Sequence, residues 1–231
     1  MPRIHVVAFD VNETLSDLAP LAAHFTAAGL PADLRTAWFA STLRDGFALA
    51  AAGTEAPFAD IAGAALRSLL HGRPDLTADP DDVVAAVLGA FQQLGVHPDV
   101  AEGMRTLARG GLRLVTLTNG AASVGRGLLE RAGLADVVED YLSVEAAGRW
   151  KPARQAYQLA ADRTGVPIEQ IALVAVHPWD TDGAKRAGMI SAWINRNGSP
   201  YPSVFTPPDI VGADLPAVAA QLLAQSEGLE A

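Results

Sequence analysis

Ile4-His5-Val6-Val7-Ala8-Phe9-Asp10, followed at once by Val11-Asn12-Glu13-Thr14-Leu15, is the stretch whose reading decides the fold. Of the six residues before Asp10, four are β-branched or aromatic, so the run reads as a buried strand. A carboxylate at the point where such a strand stops lies at the C-terminal edge of a sheet, which is where open α/β sheets bind ligands. The residues behind it supply a turn-forming Asn12 and a Thr14 able to hydrogen-bond the carboxylate, an arrangement that presents Asp10 as a nucleophile. The alternative is an Asp that caps the next helix.

The pattern beyond this strand changes twice. Leu18–Ala28, Leu34–Ala52, Phe58–Leu70 and Asp81–Leu94 carry apolar residues at helical spacing, separated by Gly- and Pro-containing turns. Four helices with no strand between them do not fit an alternating α/β chain, so residues 17–96 are predicted to form an inserted helical cap. From residue 98 helices and strands alternate: helix Pro98–Arg109, strand Leu112–Leu117, helix Ser123–Ala132, the Val137–Val144 strand, helix Ala153–Thr164, strand Ile171–Val176, helix Thr181–Ala187 and strand Ser191–Ile194, with a last helix in the Asp209–Ala224 tail. Such alternation predicts a parallel sheet with right-handed crossovers, built from residues 1–16 and 97–231.

Composition narrows the partners. The chain has 231 residues, half of them hydrophobic, enough for one large domain or a core with a smaller insertion. A net charge of −9 without a basic cluster argues against nucleic acid. The apolar runs are too short to span a bilayer, and Met1–Asp10 lacks a signal-peptide pattern. Cysteine is absent, which excludes thiol catalysis and fits a cytoplasmic setting. Only two of the 17 basic residues are lysines, Lys151 and Lys185; a chain that otherwise chooses Arg invites a reason for each.

Polar groups recur just after the strands of the second half. Leu112–Leu117 runs into Thr118-Asn119-Gly120, Val137–Val144 leads to Lys151-Pro152, and Ile171–Val176 runs into His177-Pro178-Trp179-Asp180. In a parallel sheet these ends share one edge, so Asp10, Thr118, Asn119, Lys151, His177 and Asp180 are expected to converge. Each has a plain alternative: a turn at Thr118-Asn119-Gly120, a solvated Lys151, an N-cap at Asp180, a core His177.

The order Asp10…Thr14, Leu117-Thr118-Asn119-Gly120, Lys151-Pro152 and an acid after a fourth strand resembles the haloacid dehalogenase superfamily along nearly the whole chain. Tyr157, the run His177–Asp180 with Gly183-Ala184, Gly188-Met189, and Trp193-Ile194-Asn195-Arg196 make the L-2-haloacid dehalogenase branch the nearest match. The resemblance implies a doubly wound, Rossmann-like core with an all-helical cap, and a small carboxylic acid as substrate. It implies that Asp10 displaces halide and becomes an ester that water then cleaves. Thr14 would bond Asp10, and Lys151 would hold Asp10 ionised and stabilise the oxyanion. Asp180 would pair with Lys151 and handle the water, and Tyr157 would brace the carboxylates. Thr118 and the N–H groups of Val11 and Asn12 would hold the substrate carboxylate, with Asn119 and Trp179 lining the site. A homodimer is left open. The other reading is a hydrolase of the same superfamily, phosphatase-like or acting on another small acid.

Three departures bear on this. Asn12 stands where the superfamily's phosphatases carry a second Asp, and Val176 where metal-dependent members carry an acid. With Lys151 offsetting part of the carboxylate charge, no metal and no other cofactor is expected. The dehalogenases carry an aromatic residue and then Gly before the Thr, and Ser and Asn in the last motif; this chain has Asn12-Glu13, and Ala175 and His177, so His177 is expected to take over a water-positioning task. The dehalogenases also place an Arg after an aromatic residue in the cap, where it meets the halide. Trp38-Phe39 stands at that spacing here, so Trp38 and Phe39 are expected to face the pocket with Arg44, or failing it Arg35, in the arginine's place.

Overall fold

The computed structural model describes residues 3–226. They fall into two compact units, Met1–Ser16 with Gly95–Ala231, and Asp17–Leu94. The helical unit thus ends slightly before the expected residue 96, because Val96 bridges to Ser16 and the His97 N–H donates to the Leu15 carbonyl, tying both to the other unit.

The larger unit is built on β1 (Val6–Phe9), β2 (Arg113–Thr118), β3 (Asp140–Ser143), β4 (Ile171–Ala175), β5 (Ile190–Ile194) and β6 (Ile210–Gly212), in the order β3-β2-β1-β4-β5-β6. All neighbours are parallel, with Ala8 facing both Val115 and Leu173 across the sheet. Every residue of β1 is fully buried, as a strand covered on both faces requires. The strand order reverses direction at β1, so the ends of β1 and its neighbours β2 and β4 flank the switch point where such sheets bind ligands. The crossovers are α5 (Val100–Arg109), α6 (Ala122–Arg131), α7 (Arg154–Thr164) and α8 (Pro178–Ala187), and α9 (Leu215–Ser226) packs on α5.

Strand β6 and helix α8 depart from the sequence expectation. Strand β6 was expected only as part of a tail leading to a helix. It is three residues long with Val211 exposed between buried Ile210 and Gly212, too short to show a period. Helix α8 begins at Pro178 rather than Thr181, with His177 at its N-cap. Proline is suited to a first helical position, since its missing N–H would find no partner there anyway. Asp180 therefore lies inside the first turn and is not the cap.

The helical unit holds α1 (Ala22–Ala27), α2 (Leu34–Ala51), α3 (Phe58–Leu70) and α4 (Pro80–Phe91). The first is shorter than expected because Ala19–Leu21, containing Pro20, forms a 3₁₀ turn. Asp79 caps α4 by accepting the Asp81 N–H at 2.8 Å. An aromatic cluster fills the interior. Trp38 lies 6.3 Å from Phe25, 6.4 Å from Phe39 and 6.0 Å from Phe91, and Phe58 stacks on Phe91 at 5.4 Å. The Trp38 indole N–H donates to the Ala62 carbonyl at 2.9 Å, joining α2 to α3. No described helix is long and apolar enough to cross a membrane.

Trp38 is fully buried and its one polar atom is bonded. Trp38→Ala is expected to destabilise the protein by about 3–5 kcal/mol, the usual cost of emptying a buried indole site, measured by denaturant unfolding.

Candidate active site

Asp10 follows β1 directly, and its N–H donates to the Val174 carbonyl of β4 at 3.1 Å, so the sheet fixes the backbone that carries it. One carboxylate oxygen, Oδ2, accepts the Thr14 hydroxyl at 2.6 Å. That hydroxyl in turn accepts the Val176 N–H at 3.1 Å, which aims its own hydrogen at Asp10. The other oxygen, Oδ1, accepts from Lys151 Nζ at 2.9 Å.

Lys151 is fully buried and is shared: its Nζ also lies 2.6 Å from Asp180 Oδ2. Asp180 Oδ1 accepts the Tyr157 hydroxyl at 2.7 Å, so both of its oxygens are engaged in a side chain with no exposure. Burial alone would favour neutral Lys151, but the two carboxylates outweigh it and its pKa is raised, keeping the ammonium charged. Burial pushes the Asp180 carboxyl up, with Lys151 working against it and the charge of Asp10 adding to it. Burial, reinforced by Asp180, also raises the Tyr157 phenol well above its ordinary value, so it remains a donor.

Asn119 clamps the backbone of Lys151. Its Oδ1 accepts the Lys151 N–H at 2.8 Å and its Nδ2 donates to the Lys151 carbonyl at 3.3 Å. This amide was expected to line the leaving-group side; both of its functions instead hold Lys151. Thr118 Oγ1 accepts the Gly120 N–H at 3.0 Å, which leaves its hydroxyl hydrogen to donate. Trp179 stacks on His177 at 5.2 Å, with Lys151 Nζ 5.9 Å from the Trp179 ring centre. His177 Nε2 lies 3.2 Å from the Asn12 carbonyl, 3.8 Å from Asp10 Oδ2 and 3.7 Å from Glu13 Oε2. Val11 is buried in the apolar core of this unit, so only its backbone can serve a ligand.

The structure thus brings together Asp10, Thr14, Lys151, Tyr157, Asp180, His177, Trp179, Asn119 and Asn12. Trp38, Phe39 and Arg44 belong to the helical unit. Trp38 and Phe39 are members of its aromatic core. Arg44 is largely exposed, and its guanidinium forks onto Asp45 at 2.8 and 3.1 Å. Arg35 is half-buried, and its buried Nε has no hydrogen-bond partner.

Sequence reasoning missed the support behind the Asp10 loop. Arg196 forks onto Asp99 at 3.0–3.2 Å and donates to the Thr14 carbonyl at 3.0 Å; His97 Nε2 lies 3.0 Å from the Glu13 carbonyl. Burial pushes the Asp99 carboxyl up, but the Leu215 N–H and Arg196 outweigh it, and it stays below its ordinary range. Arg196 was read only as part of the Trp193–Arg196 motif, and its place just past the end of β5 was the further signal. Gly183 was also read only as part of a motif. A Cβ there would collide with the Tyr157 hydroxyl and come within 2.8 Å of Pro152, so only glycine lets α8 approach closely enough for Tyr157 to reach Asp180.

A family model described as haloacid dehalogenase-like hydrolase matches residues 4–188. The chain belongs to the haloacid dehalogenase-like hydrolases. Within this family it is 28% identical over 212 residues to haloacetate dehalogenase H-2 of Moraxella sp. (strain B), covering 90% of this chain and 93% of the relative. It is 33% identical over 129 residues to the (S)-2-haloacid dehalogenase of Pseudomonas sp. (strain YL), a match spanning 56% of each chain. Among solved structures, the L-2-haloacid dehalogenase of Xanthobacter autotrophicus with chloropropionic acid covalently bound is similar at a TM-score of 0.84 and 25% identity, over 95% of this chain and 98% of that one. The doubly wound core and the resemblance read from the motifs are those of the family.

Removing Lys151 leaves two buried carboxylates without their cation. Lys151→Met is expected to destabilise the protein by about 3–5 kcal/mol. Tyr157→Phe, which deprives a buried oxygen of Asp180 of its donor, should cost about 1–3 kcal/mol. Thermal or denaturant unfolding of the two variants checks both the values and their order.

Proposed function

We propose that this protein hydrolyses the carbon–halogen bond of a small 2-halo carboxylic acid through an ester of Asp10, without a metal ion. The observation that supports this most directly is Lys151 Nζ, within 3 Å of both Asp10 and Asp180, where it places a fixed positive charge between the two acids. A divalent cation would have to occupy much the same space, and a hard cation also needs more oxygen ligands than Asn12 and Val176 leave here. The names of the relatives supply the substrate class.

In the first step an Asp10 oxygen attacks the α-carbon, and the halide departs with the electron pair of its bond. Thr14 and Lys151 hold the carboxylate in one orientation, and attack in line with the departing halide inverts the carbon. The Thr118 hydroxyl and the N–H groups of Val11 and Asn12 bind the substrate carboxylate. In the second step water attacks the Asp10 carboxyl carbon. Lys151 stabilises the oxyanion, and the 2-hydroxy acid is released. Asn119 fixes the backbone of Lys151, and Tyr157 fixes Asp180. A phosphatase-like reading is weaker, since Asn12 supplies no acid at the position where such an enzyme needs one.

Asp10→Asn should abolish turnover, and a single turnover in ¹⁸O-water should place the label in the Asp10 carboxylate. Label confined to the product would mean that water attacks the substrate directly. Halide release should be unchanged by EDTA; loss with EDTA and recovery with Mg²⁺ would return the site to phosphoryl chemistry.

A leaving anion in a dry pocket needs positive charge or N–H donors. Because its guanidinium is exposed and committed to Asp45, Arg44→Ala is expected to keep kcat within about twofold, as surface ion pairs are worth little. Arg35→Ala is the informative comparison: full kcat there as well as in Arg44→Ala means that neither arginine holds the leaving anion.

A further inference from the structure

Asn12 is only 8% exposed, yet its side-chain amide has no hydrogen-bond partner among the described residues, while its backbone carbonyl faces His177 Nε2 at 3.2 Å. A buried amide that bonds to nothing is a cost to the folded chain unless a ligand completes it. The dehalogenases that the chain resembles carry an aromatic residue at this place, so the amide is a feature of this chain.

A second unspent donor lies beside it. Thr118, at the end of β2, accepts the Gly120 N–H at 3.0 Å and keeps its hydroxyl hydrogen to give. Gly120 separates the two groups. A Cβ there would lie 3.4 Å from Thr118 Oγ1 and 3.7 Å from Asn12 Nδ2, and apart from the chain neighbours of Gly120 nothing else comes within 4 Å of that point. The ends of β1 and β2 thus leave a small open space flanked by two donors. This space adjoins the nucleophile. Asn12 is two residues past Asp10, and the His177 Nε2 beside the Asn12 carbonyl is 3.8 Å from Asp10 Oδ2. On the other side Asn119, next to Thr118, holds the backbone of Lys151, whose Nζ is 2.9 Å from Asp10 Oδ1.

Two donors facing one space suit a group with two acceptor oxygens. A carboxylate has them, and hydrogen bonds to it are stronger than those to a neutral acceptor. The halide is less well suited. In an in-line displacement it departs on the side of the α-carbon remote from Asp10, whereas Asn12 and Thr118 flank the strand ends from which Asp10 itself projects. We propose that the Asn12 side-chain amide is a specificity-determining donor to the substrate carboxylate, paired with the Thr118 hydroxyl, a role that rests on the reading of this site as one for 2-halo acids. With no bond to break, the amide turns its N–H to one carboxylate oxygen while Thr118 donates to the other. The pair favours an ionised acid over the neutral amide of the same skeleton, which brings one acceptor oxygen and sets an NH₂ group against the second donor.

The test is binding and turnover by the full-length protein with three probes. These are 2-chloropropionate, 2-methylpropanoate, which keeps the carboxylate and has no leaving group, and 2-methylpropanamide, its neutral counterpart. Asn12→Ala is expected to weaken 2-methylpropanoate binding, measured by calorimetry, about 10–100-fold, the contribution of one hydrogen bond to a charged group. The KM for 2-chloropropionate should rise by a similar factor. The loss should fall on KM and not on kcat, because the bond is made alike to substrate and transition state. Asn12→Asp, of the same shape but with a negative charge in place of the N–H, should weaken both acids further. Gly120→Ala, which sets a methyl group between the donors, should weaken them with Asn12 in place. Binding of 2-methylpropanamide should be unchanged in Asn12→Ala, and so should its unfolding midpoint, since the amide removed bonds to nothing. Equal affinity of wild type and Asn12→Ala for 2-methylpropanoate overturns the proposal. A fall in kcat with KM unchanged overturns it as well and gives the amide to the leaving halide, and a loss of stability in Asn12→Ala makes the amide structural. If no 2-halo acid loses halide but 2-methylpropanoate still binds through Asn12, the dehalogenase reading fails and the carboxylate site stands.

Discussion

One buried ammonium organises this site. Lys151 has no exposure and two carboxylates within hydrogen-bonding distance, so three charged groups share a nearly enclosed space. Such a group is stable only if each charge is compensated by bonds. The structure supplies them: Thr14 on Asp10, Tyr157 on Asp180, and Asn119 on the backbone that carries the lysine. The count of charges also suits the proposed reaction. Two acids and one base leave one negative charge in excess, and ester formation on Asp10 removes that excess. Lys151 and Asp180 are then an even pair around the intermediate.

The rest of the larger unit reads as a frame for this arrangement. Asp10, Asn119 and the α8 turn bearing Asp180 follow β1, β2 and β4, three adjacent strands whose register is fixed by fully buried residues. Lys151 arrives from the connection after β3. Packing of α7 against α8 brings Tyr157 to Asp180 and depends on the missing side chain of Gly183. On the far side of the Asp10 loop, Arg196 ties the Thr14 carbonyl to Asp99, and Asp99 receives the Leu215 N–H at the start of α9. The nucleophile is thus supported by the C-terminal helix as well as by its own strand.

The fold was legible because its signals are periodic and long. The apolar run before Asp10, the four strandless helices and the alternation after residue 98 each state their element in many residues. Strand β6 was lost because three residues state nothing. Asp10, Thr14, Lys151 and Asp180 were legible from strand ends and motif order, and the rarity of lysine drew attention to Lys151. What the sequence hid was direction. Nothing in a linear pattern says that the Asn119 amide turns to the Lys151 backbone, or that Trp38 spends its N–H on Ala62. Arg44 looked available at helical spacing, yet its immediate neighbour Asp45 engages it. Arg196 and Asp99 lie far apart in the chain, and only the folded sheet makes them partners.

Ser16 and Val96 form a bridge, and the Leu15 carbonyl receives the His97 N–H, so the chain leaves the sheet unit and re-enters it at one point. For β1 this changes the entropy of docking. The closure cost of a flexible loop grows with its length, but a compact segment that returns its ends to the same place acts as a short connection. Asp17–Leu94 can therefore be lengthened, shortened or repacked with little effect on the pairing of β1 with β2 and β4. The helical unit is free to diverge under demands of its own, while the carboxylates and the lysine stay bound to the register of the sheet.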